Sequence, residues 1–453
     1  MKVNTIILAA GKGTRMKSSL PKVLHKVCGI PMLEHVIEAA KKAGSEREIV
    51  IIGSGAGEVE KAISGVEFAL QAEQLGTGHA VMMAKDKLKD VEGTVMILCG
   101  DTPLVTADLL EQFIESHEET KAAATVLTAM MPDPTGYGRI VRNQSGTVDK
   151  IVEHKDATEE ELQIREVNSG MYCFDIKTLF KALENVTNDN AQGEYYLTDV
   201  LEIIRAQGLM INAFVTNAFT QILGINSRYQ LAAAERILRQ RKNIELMDSG
   251  VTILDPDSTF IDYDVTIGHD TTILPFTYIE NGTTIGERCS IGPNCRLQNT
   301  KIGNDVTMQF VYSHDAEVDD EVVIGPYVHL RPGTKINKKV KIGNFVEVKN
   351  SNIGEGTKLP HLQYIGDSDV GQNVNVGCGT VTCNYDGKKK FRTTIGDNVF
   401  VGCNTSLVAP VKVGNGVYIA AGSAITQDIP DNNLAIGRAR QVNKSNWKDK
   451  RRS

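Results

Sequence analysis

Aliphatic residues recur at every sixth position in three runs of the C-terminal half of the chain. The runs are Ile267, Ile273, Ile279, Ile285, Ile291 and Leu297, then Val318, Ile324, Leu330, Ile336, Ile342 and Val348, and finally Ile395, Val401, Leu407, Val413, Ile419 and Ile425. This period is too long for strand alternation and does not match the 3.6-residue period of a helix. Glycine often follows the aliphatic residue, as at Gly268 and Gly343, and a small residue suits a tight corner. The pattern predicts a parallel β-helix, in which stacked coils of three short strands bury an aliphatic column.

A β-sandwich whose strands alternate by chance is the alternative for this half, and three such regular runs disfavour it. About 160 residues at roughly 18 residues per coil predict about eight or nine coils, and strand spacing then gives a prism of roughly 40 Å. The period does not fix the hand of the coil, because most parallel crossovers are right-handed whereas hexapeptide-repeat proteins are left-handed.

In the N-terminal half, short apolar runs alternate with amphipathic stretches. Strands are predicted at Thr5–Leu8, Ile49–Ile52 and Thr94–Cys99, and helices at Leu33–Ala43, Gly78–Leu88 and Thr106–Ser116. This alternation is typical of an α/β domain with a largely parallel sheet, whose ligands bind at the carboxyl ends of the strands. A single helix is predicted at Ser227–Leu246, leading into the coil region.

Length and composition limit the classes of protein. The chain has 453 residues, of which 41% are hydrophobic, so it is long enough for two cores. Its net charge is −7, and basic residues dominate only the tail at Lys444–Ser453, which argues against a nucleic-acid surface. No apolar run reaches the length of a membrane span, and no signal peptide is expected before the first strand. The eight cysteines form no CxxC pair, so reduced thiols in a cytoplasmic protein are expected.

A glycine-rich turn follows the first predicted strand, in the run LAAGKGTRM from Leu8 to Met16. A strand, such a turn and a helix start present backbone N–H groups to an anion. The run is not GxxxxGK[ST], and Met16 stands where the dinucleotide fingerprint has its third glycine, so both of those motifs are excluded. Arg15 and Lys22 add cations that suit a triphosphate and departing pyrophosphate, although ordinary surface charge is the alternative.

Asp101 follows another buried strand, in the run CGDTP. A carboxylate at the carboxyl edge of the sheet is well placed to hold Mg²⁺, which keeps several waters and binds only one or two protein oxygens. The alternative is that Asp101 caps the next helix. Taken alone, the residue leaves both roles open.

The six-residue period breaks at Thr380–Thr394, so this segment is predicted to leave the coil as an exposed loop, where function concentrates. The run NYDG, from Asn384 to Gly387, predicts a turn, and the cations Lys388, Lys389, Lys390 and Arg392 suit a phosphate. His361 lies in one of the less regular coils nearby. A polar surface residue is the alternative role for a lone histidine, and the cationic loop favours a catalytic one.

The runs LAAGKGTRM, LPK, QAEQLGTGH and GDTP resemble the sugar-1-phosphate nucleotidyltransferases. With the coil domain, the chain is similar to the bacterial bifunctional enzymes that make UDP-N-acetylglucosamine, in which a glucosamine-1-phosphate N-acetyltransferase is joined to an N-acetylglucosamine-1-phosphate uridyltransferase. The resemblance covers residues 1 to about 440. It implies a Rossmann-like α/β nucleotidyltransferase domain at residues 1–226, a helical linker at 227–250, and a left-handed parallel β-helix of hexapeptide repeats at 251–453 that includes a short C-terminal tail.

The resemblance also implies the residues of a uridyltransferase site. Nucleotide and phosphates would contact Leu8, Ala9, Ala10, Gly11 and Lys22, and Arg15 would support pyrophosphate departure. The uracil pocket would be lined by Gln71, Gly76 and Thr77, and the ribose and metal bordered by Cys99, Gly100 and Asp101. Asp101 would share Mg²⁺ with Asn226, and the sugar would be held by Gly138, Glu153 and Asn168. No general base is needed, because the attacking sugar phosphate is already an anion.

For the coil domain, the resemblance implies an acetyltransferase in which His361 is the general base for the glucosamine amine as it attacks acetyl-CoA. Glu347 would orient or polarise that site. The sugar phosphate would be clamped by Arg331, Lys349 and Lys390, with Tyr364 and Asn375 reading hydroxyls. Acetyl-CoA would lie against Cys378, Asn384, Tyr385, Cys403, Ala421 and Arg438.

This sequence departs from the family at two of those positions, because the family often has Ala at position 378 and Ser at position 403. Both cysteines are small, so the cleft is expected to survive, but a hydrogen bond from position 403 to coenzyme A is in doubt. Thiols at Cys378 and Cys403 predict sensitivity to alkylating reagents.

The resemblance therefore implies acetylation of glucosamine-1-phosphate followed by exchange of UTP for pyrophosphate, giving a precursor of cell-wall polymers. The partners are these small molecules, with no nucleic acid and no membrane, and a homotrimer is implied. One alternative is a monofunctional nucleotidyltransferase whose coils only oligomerise it. The long prism and His361 beside NYDG disfavour this. The other is a non-catalytic regulatory subunit, which the intact set Arg15, Lys22, Asp101 and Asn226 disfavours.

Overall fold

The computed structural model describes residues 2–144, 146–190, 192–445 and 447. The chain divides into two compact units, residues 1–238 and 239–453, which are described separately below. Most of the predicted basic tail at Lys444–Ser453 lies outside the described residues. Within the described part of the chain, every helix is too short or too polar to cross a membrane.

The first unit is an α/β fold. Its strands are β1 Val3–Leu8, β2 Lys26–Val27, β3 Ile30–Pro31, β4 Ser45–Ile52, β5 Glu67–Leu70, β6 Thr94–Cys99, β7 Ala124–Met130, β8 Arg139–Arg142, β9 Val148–Val152, β10 Glu166–Asp175 and β11 Ile211–Thr216. Its helices are α1 Met32–Lys42, α2 Ala56–Ala62, α3 Thr77–Met82, α4 Lys85–Leu88, α5 Ala107–Thr120, α6 Glu159–Leu162, α7 Ile176–Leu183 and α8 Asp199–Ala206, and α9 Arg228–Asp248 follows. Short 3-10 turns lie at Thr14–Met16, Lys22–Leu24 and Phe219–Ile222.

The main sheet has the strand order β11-β7-β10-β6-β1-β4-β5. Strands β1, β4, β5 and β6 are parallel, whereas β10 runs antiparallel to both β6 and β7. Each central strand is buried on both faces, as Ile6 and Ile7 show with 0% exposure, which explains why they read as continuous apolar runs. The Rossmann-like α/β class is confirmed, but the central strand β10 is antiparallel to its neighbours, which the apolar pattern could not distinguish.

Two local expectations change. The predicted helix Gly78–Leu88 is two short helices, α3 and α4, which are separated at Met83 and Ala84. The cap of α5 is Thr106, whose Oγ1 accepts a hydrogen bond from Leu109 N at 3.3 Å. Asp101 is therefore not the N-cap of that helix, and its carboxylate is left for another role.

The second unit consists of short parallel strands. In chain order they are β12 Thr252–Ile253, β13 Phe260–Ile261, β14 Thr266–Ile267, β15 Thr272–Ile273, β16 Tyr278–Glu280, β17 Thr284–Ile285, β18 Ser290–Ile291, β19 Arg296–Gln298, β20 Lys301–Ile302, β21 Thr307–Met308, β22 Val311–His314, β23 Ala316–Val318, β24 Val323–Ile324, β25 Val328–Leu330, β26 Thr334–Ile336, β27 Lys341–Lys349, β28 Asn352–Ile353, β29 Lys358–Gly366, β30 Ser368–Val370, β31 Asn375–Val376, β32 Val381–Cys383, β33 Thr393–Ile395, β34 Phe400–Val401, β35 Ser406–Val408, β36 Val411–Val413, β37 Tyr418–Ile419, β38 Ala424–Ile425 and β39 Leu434–Ala435. A 3-10 turn lies at Pro256–Ser258.

These strands stack in register from coil to coil. Ile267 pairs with Ile285, which pairs with Ile302, and the same sheet continues to β36. Every aliphatic residue of the three predicted runs is buried, from Ile267 at 9% exposure to Ile419 at 0%. The parallel β-helix is confirmed, and its hexapeptide-repeat architecture is that of the left-handed class.

The glycines after the aliphatic positions have a different purpose from the one expected. A Cβ on Gly343 would lie 1.8 Å from the carbonyl oxygen of Pro360 in the next coil. The left-handed corner positions are instead taken by residues such as Asn373 (φ 53°) and Asn398 (φ 53°), because a short polar side chain tolerates this conformation. Glycine is therefore needed at Gly343 for the close approach of stacked coils.

The segment between β32 and β33 leaves the coil, as the broken period predicts. Asp386 accepts backbone hydrogen bonds from Lys388 at 2.7 Å and Lys389 at 2.6 Å, which confirms the turn expected at NYDG. Phe391 N donates to Asn384 O at 2.8 Å and closes the base of the loop. The cationic residues of the loop are thereby held outside the prism, next to the coil that carries β29.

Candidate active sites

The glycine-rich turn and Asp101 meet at one edge of the first unit's sheet. Leu8 ends β1 and pairs in register with Cys99, which ends β6. Gly100 N donates to Leu8 O at 2.9 Å, and a Cβ on Gly100 would lie 3.1 Å from that same oxygen. Because both strands are parallel, their following loops lie side by side at the carboxyl edge, where ligands of such sheets bind.

Lys22, Asp101 and Asn226 converge at this edge. Lys22 Nζ lies 2.5 Å from Asp101 Oδ2 and 3.1 Å from Asn226 Oδ1. A carboxylate oxygen and an amide oxygen thus share one positive charge, and these hard oxygen donors are the kind that Mg²⁺ prefers. The pair fits a divalent cation that takes its remaining ligands from water and phosphate. Among the described residues, no group of three or more His, Cys, Asp or Glu side chains could hold a metal, so no all-protein cage competes with it.

A cavity of about 270 Å³ opens beside these residues. It is lined by ten of the predicted residues, namely Leu8, Ala9, Ala10, Gly11, Lys22, Gln71, Gly76, Thr77, Cys99 and Asp101. Gln71 is buried, and its Nε2 donates to Gly76 O at 3.0 Å, which fixes the side chain against the wall. Gly76 has φ 108°, and a Cβ there would lie 2.6 Å from Tyr195 O, so only glycine fits.

A second cavity, of about 210 Å³, shares Cys99 and Asp101 with the first and is also lined by Arg15 and Asn226. Arg15 is an exposed residue of the turn Thr14–Met16, and it lines this second cavity but not the first. Burial first, and then the charge of Asp101, raise the pKa of Cys99 to about 12, while Lys22 opposes this. Cys99 is therefore a neutral thiol that contributes packing, with Sγ 3.6 Å from Gly170 O.

The three predicted sugar residues form a separate group that lines neither cavity. Asn168 N donates to Gly138 O at 2.9 Å, and Asn168 Nδ2 donates to Tyr172 OH at 2.7 Å. Burial, followed by the charges of Asp156 and Asp199, raises the pKa of Glu153. The group connects to the second cavity through Ser169, which follows Asn168 and lines that cavity.

In the second unit, His361 lies at a corner of the prism in a column of in-register residues. Asn344 pairs with His361 across β27 and β29, and His361 Nδ1 lies 2.8 Å from Asn344 Oδ1. Lys358 pairs with Asn375 in the next coil. Three residues further along each coil, the same register places Cys378 next to His361. The column continues through Cys403 to Ala421, as the pairs Val376 to Val401 and Val401 to Ile419 indicate.

Beside this column lies a charged cluster. Arg331 Nη1 donates to Glu347 Oε1 at 2.8 Å, and Lys349 Nζ lies 3.3 Å from Asp367 Oδ2. Lys390 approaches Lys349, and the close side-chain contact between these two like charges lowers the pKa of Lys390. Crowded cations of this kind are relieved by an anion, and the phosphate-clamp role of Arg331, Lys349 and Lys390 stays a prediction.

Asp367 holds the inner side of that cluster, and the sequence did not single it out. Asn350 Nδ2 donates to its Oδ1 at 2.6 Å, and Asn384 Nδ2 donates to its Oδ2 at 2.5 Å. Asn384 Nδ2 also lies 3.3 Å from Tyr364 OH, which connects the NYDG loop to β29. Asp367 therefore links the loop to the coil that carries Lys349.

The remaining predicted residues are placed along the later coils. Asn375 pairs with Phe400, and Tyr385 is an exposed residue of the loop that bridges to Lys390. Arg438 Cδ would lie 3.8 Å from a Cβ on Gly422, which places Arg438 beside the Ala421 corner. Asn344 could not be predicted from a motif either, because its only signal is a coil step of seventeen residues before His361.

Comparison with known proteins gives the family. Residues 4–220 match the nucleotidyl transferase family, and residues 264–299 and 392–427 match bacterial transferase hexapeptide repeats. The chain is 54% identical over 448 residues to the bifunctional protein GlmU of Geobacillus thermodenitrificans, covering 99% of this chain and 98% of that protein. The chain belongs to the GlmU family of bifunctional proteins.

Other members of the GlmU family are equally similar over their whole length. The protein from Caldanaerobacter subterraneus is 55% identical, over 99% of this chain and 98% of that protein. The protein from Listeria monocytogenes is 51% identical, over 97% of this chain and 96% of that protein. The family resemblance read from the motifs is confirmed, and this GlmU-family chain is a bifunctional transferase.

Proposed function

We propose that the chain makes UDP-N-acetylglucosamine in two steps. Acetyl-CoA first acetylates glucosamine-1-phosphate, and UTP then reacts with the N-acetylglucosamine-1-phosphate to release pyrophosphate. We assign the second step to residues 1–226 and the first to residues 251–453, with residues 227–250 as a linker that is mostly the helix α9. The proposal rests on two features of one chain. The coil unit has an imidazole, His361, beside a cluster of cations, and the other unit has a cavity that suits a nucleotide.

For uridylyl transfer, the chain supplies position and charge. The attacking phosphate of the sugar is already an anion, so the site needs no base. Lys22 would neutralise charge that builds up on the triphosphate, and Arg15, in the neighbouring cavity, would stabilise the departing pyrophosphate. The uracil would lie against Gln71, Gly76 and Thr77, and the sugar would be read by Gly138, Glu153 and Asn168.

Mg²⁺ is the proposed metal, held by Asp101 Oδ2 and Asn226 Oδ1. These two oxygens already share the Lys22 ammonium, which shows that this position favours positive charge. When bound, Mg²⁺ would draw negative charge from the phosphate oxygens. Lys22 would then turn from the two oxygens toward the phosphates, as its flexible side chain allows.

For acetyl transfer, the tautomer of His361 follows from its neighbour. Asn344 Oδ1 is an acceptor, so His361 Nδ1 carries the hydrogen and Nε2 keeps its lone pair. Nε2 is therefore the atom that would take the proton from the glucosamine amine as it attacks the thioester. The amine must approach on the exposed side of the corner, and His361 is exposed there.

The remaining groups would hold the two substrates around that corner. Arg331, Lys349 and Lys390 would bind the sugar phosphate, and Glu347, held by Arg331, would orient the sugar. Tyr364 and Asn375 would read its hydroxyls. Coenzyme A would follow the corner column along Cys378, Cys403 and Ala421, between the loop residues Asn384 and Tyr385 and the side chain of Arg438.

We also propose a homotrimer, formed through an aromatic groove on the coil unit. The groove has a volume of about 1160 Å³, and its lining includes Phe276 and Tyr327, which are 60% and 55% exposed. Such a large exposed apolar patch is typical of a protein interface. Glu347 and Tyr364 line the same groove, so a second copy on this face would border the acetyltransferase site. We further propose a cytoplasmic location, in which exposed thiols such as Cys403 stay reduced.

The proposal is tested by the release of coenzyme A when glucosamine-1-phosphate is added, in the parent protein and in His361→Ala. We expect release by the parent and a loss of about 10²- to 10⁴-fold in the variant, with uridylyl transfer unchanged as the folding control. No release by the parent protein would leave the coil unit as a scaffold and the chain as a monofunctional nucleotidyltransferase. Unchanged release by His361→Ala would keep the activity and reject the base.

A further inference from the structure

Two cysteines lie in neighbouring coils at the same corner of the prism. Asn375 pairs with Phe400 and Val376 with Val401, and two further residues along each chain bring Cys378 opposite Cys403. The register holds to the corner, because Gly377 N donates to Val401 O at 2.7 Å and Asn404 N donates to Cys378 O at 2.7 Å. Both thiols are unlinked in this structure, with Cys403 exposed and Cys378 half-buried.

The spacing of the coils brings the pair within reach of a disulfide. Stacked strands are about 4.8 Å apart, and disulfides join residues whose Cα atoms are roughly 4.4 to 6.8 Å apart. The other half-exposed cysteine of this unit, Cys383, has Val408 as its in-register partner. Cys289 and Cys295 are buried at 2% and 1% exposure. Among the described cysteines of the coil unit, Cys378 and Cys403 therefore combine register with access.

His361 is the next residue of the same column on the other side of Cys378. Its Nδ1 is paired with Asn344, so its Nε2 is the atom that can accept a proton. A thiol becomes a nucleophile only as the thiolate, and an adjacent imidazole promotes that ionisation. The column therefore places a base, a thiol and a second thiol on successive coils.

We propose that Cys378 and Cys403 are an oxidation-sensitive pair whose disulfide blocks acetyl transfer, a role that rests on the proposed acetyltransferase site. The oxidant is a small-molecule disulfide such as glutathione disulfide. Cys378 loses its proton to His361, and its thiolate attacks one sulfur of that disulfide, releasing one glutathione thiolate. Cys403 loses its proton to water and, as a thiolate, attacks the sulfur of Cys378 and releases the second glutathione thiolate. The two released thiolates take up the two protons, one from His361 and one from water. The protein loses two thiol hydrogens and two electrons, and one glutathione disulfide becomes two glutathione thiols.

The consequence for acetyl transfer follows from the position of the pair. The disulfide would draw both sulfurs together along the path proposed for coenzyme A, beside the imidazole that the thioester must reach. A displacement of this kind costs at least about tenfold in rate, because small misplacements of reacting groups are costly. Reduction would restore the two thiols and the activity.

The test treats the full-length protein with glutathione disulfide and measures three quantities. These are acetylated sugar by mass spectrometry, uridylyl transfer, and the masses of the peptides that contain Cys378 and Cys403. We expect a cross-link between these peptides, a loss of acetyl transfer of at least about tenfold that dithiothreitol reverses, and unchanged uridylyl transfer. Acetyl-CoA present during oxidation should slow the cross-link.

Each variant is compared with itself, oxidised against reduced, because both cysteines belong to the proposed binding cleft. Cys378→Ala and Cys403→Ser should show no oxidation-dependent loss, whereas the matched control Cys383→Ser should behave like the parent. A glutathione adduct without a cross-link, or a cross-link without loss of acetyl transfer, would overturn the proposal. If the reduced parent transfers no acetyl group, the proposed function fails, and the peptide masses alone then decide whether the pair forms.

Discussion

Lys22 Nζ lies 2.5 Å from Asp101 Oδ2 on the loop after β6, while Asn226 Oδ1, just before α9, lies 3.1 Å from the same ammonium. Three segments that are far apart in the chain therefore meet at one charge. Asp101 lines both the cavity that is bordered by Gln71 and the cavity that is bordered by Arg15. A nucleotide base on one side and a departing pyrophosphate on the other would both lie next to this charge.

The first prediction concerns Asp101→Asn. The substitution keeps the shape of the side chain but removes the only carboxylate of the pair that shares the Lys22 ammonium. We expect uridylyl transfer, measured as pyrophosphate release, to fall by about 10²- to 10³-fold. We also expect a higher Mg²⁺ concentration to be needed for half-maximal activity, because one of the two proposed protein ligands has lost its charge. Acetyl transfer serves as the control and should not change, and a variant with normal pyrophosphate release would remove Asp101 from the metal site.

The second prediction concerns Asn344→Ala. Asn344 is a positioning residue, because it fixes the tautomer and orientation of His361 through a 2.8 Å hydrogen bond. We expect kcat for acetyl transfer to fall by about tenfold, less than for His361→Ala, since the imidazole remains but is free to rotate. The pH profile of kcat should also shift, whereas KM for acetyl-CoA should stay the same. A higher KM with an unchanged kcat would show that Asn344 contacts substrate instead.

The β-helix could be predicted from the sequence because its signal is a repeated spacing. Each side of the prism buries one aliphatic residue, so the period appears directly in the chain and every predicted member is buried. The antiparallel strand β10 could not be predicted in this way. It is buried between β6 and β7, and a strand covered on both faces has the same apolar composition whichever way it runs.

The site residues also divide into those that a motif predicts and those that only the fold brings together. Residues of the glycine-rich turn and Asp101 are found by motif, because contiguous residues form the loop. Asn344 and Asp367 are not, because they act through the stacking of coils. Asn344 reaches His361 from the preceding coil, and Asp367 connects Lys349 with Asn384 on opposite sides of its own coil. Only the register of the coils reveals such contacts, and the register is shifted by every change in coil length.

The third prediction concerns the reactivity of the thiols. Cys403 is exposed, whereas Cys99 is half-buried and its pKa is raised to about 12 by burial and by Asp101. At about pH 7.5, we expect a maleimide to modify Cys403 at least about 100-fold faster than Cys99, because the thiolate is the reactive form. Acetyl-CoA should protect Cys403 and leave the rate at Cys99 unchanged, as read from peptide masses. Equal labelling with and without acetyl-CoA would place coenzyme A elsewhere.

The fourth prediction concerns Asp367→Asn and its dependence on pH. Burial acts to raise the pKa of Asp367, which is only 4% exposed, but the hydrogen bonds from Asn350 and Asn384 and the charge of Lys349 outweigh it and hold the pKa below its usual value. The ionised form is thus stabilised by folding. A carboxyl with a lowered pKa in the folded state contributes stability above its unfolded pKa of about 3.9, and this contribution disappears as the pH falls through the folded value.

We therefore expect Asp367→Asn to lower the free energy of unfolding at neutral pH by about 2 kcal/mol. The new amide N–H₂ would face the donor groups of Asn350 and Asn384, and Lys349 would lose its counter-charge. The difference from the parent protein should shrink as the pH falls below about 4, since protonation then removes the same charge from the parent. This difference in the free energy of unfolding is measured by urea unfolding of both proteins at several pH values, with a signal that reports on the coil unit. Asp369→Asn, whose carboxylate pairs with Arg392 at an exposed position, is the matched control and should change stability little at any pH. A stability difference that stays constant down to acid pH would show that packing, and not the ionised carboxylate, is what Asp367 contributes.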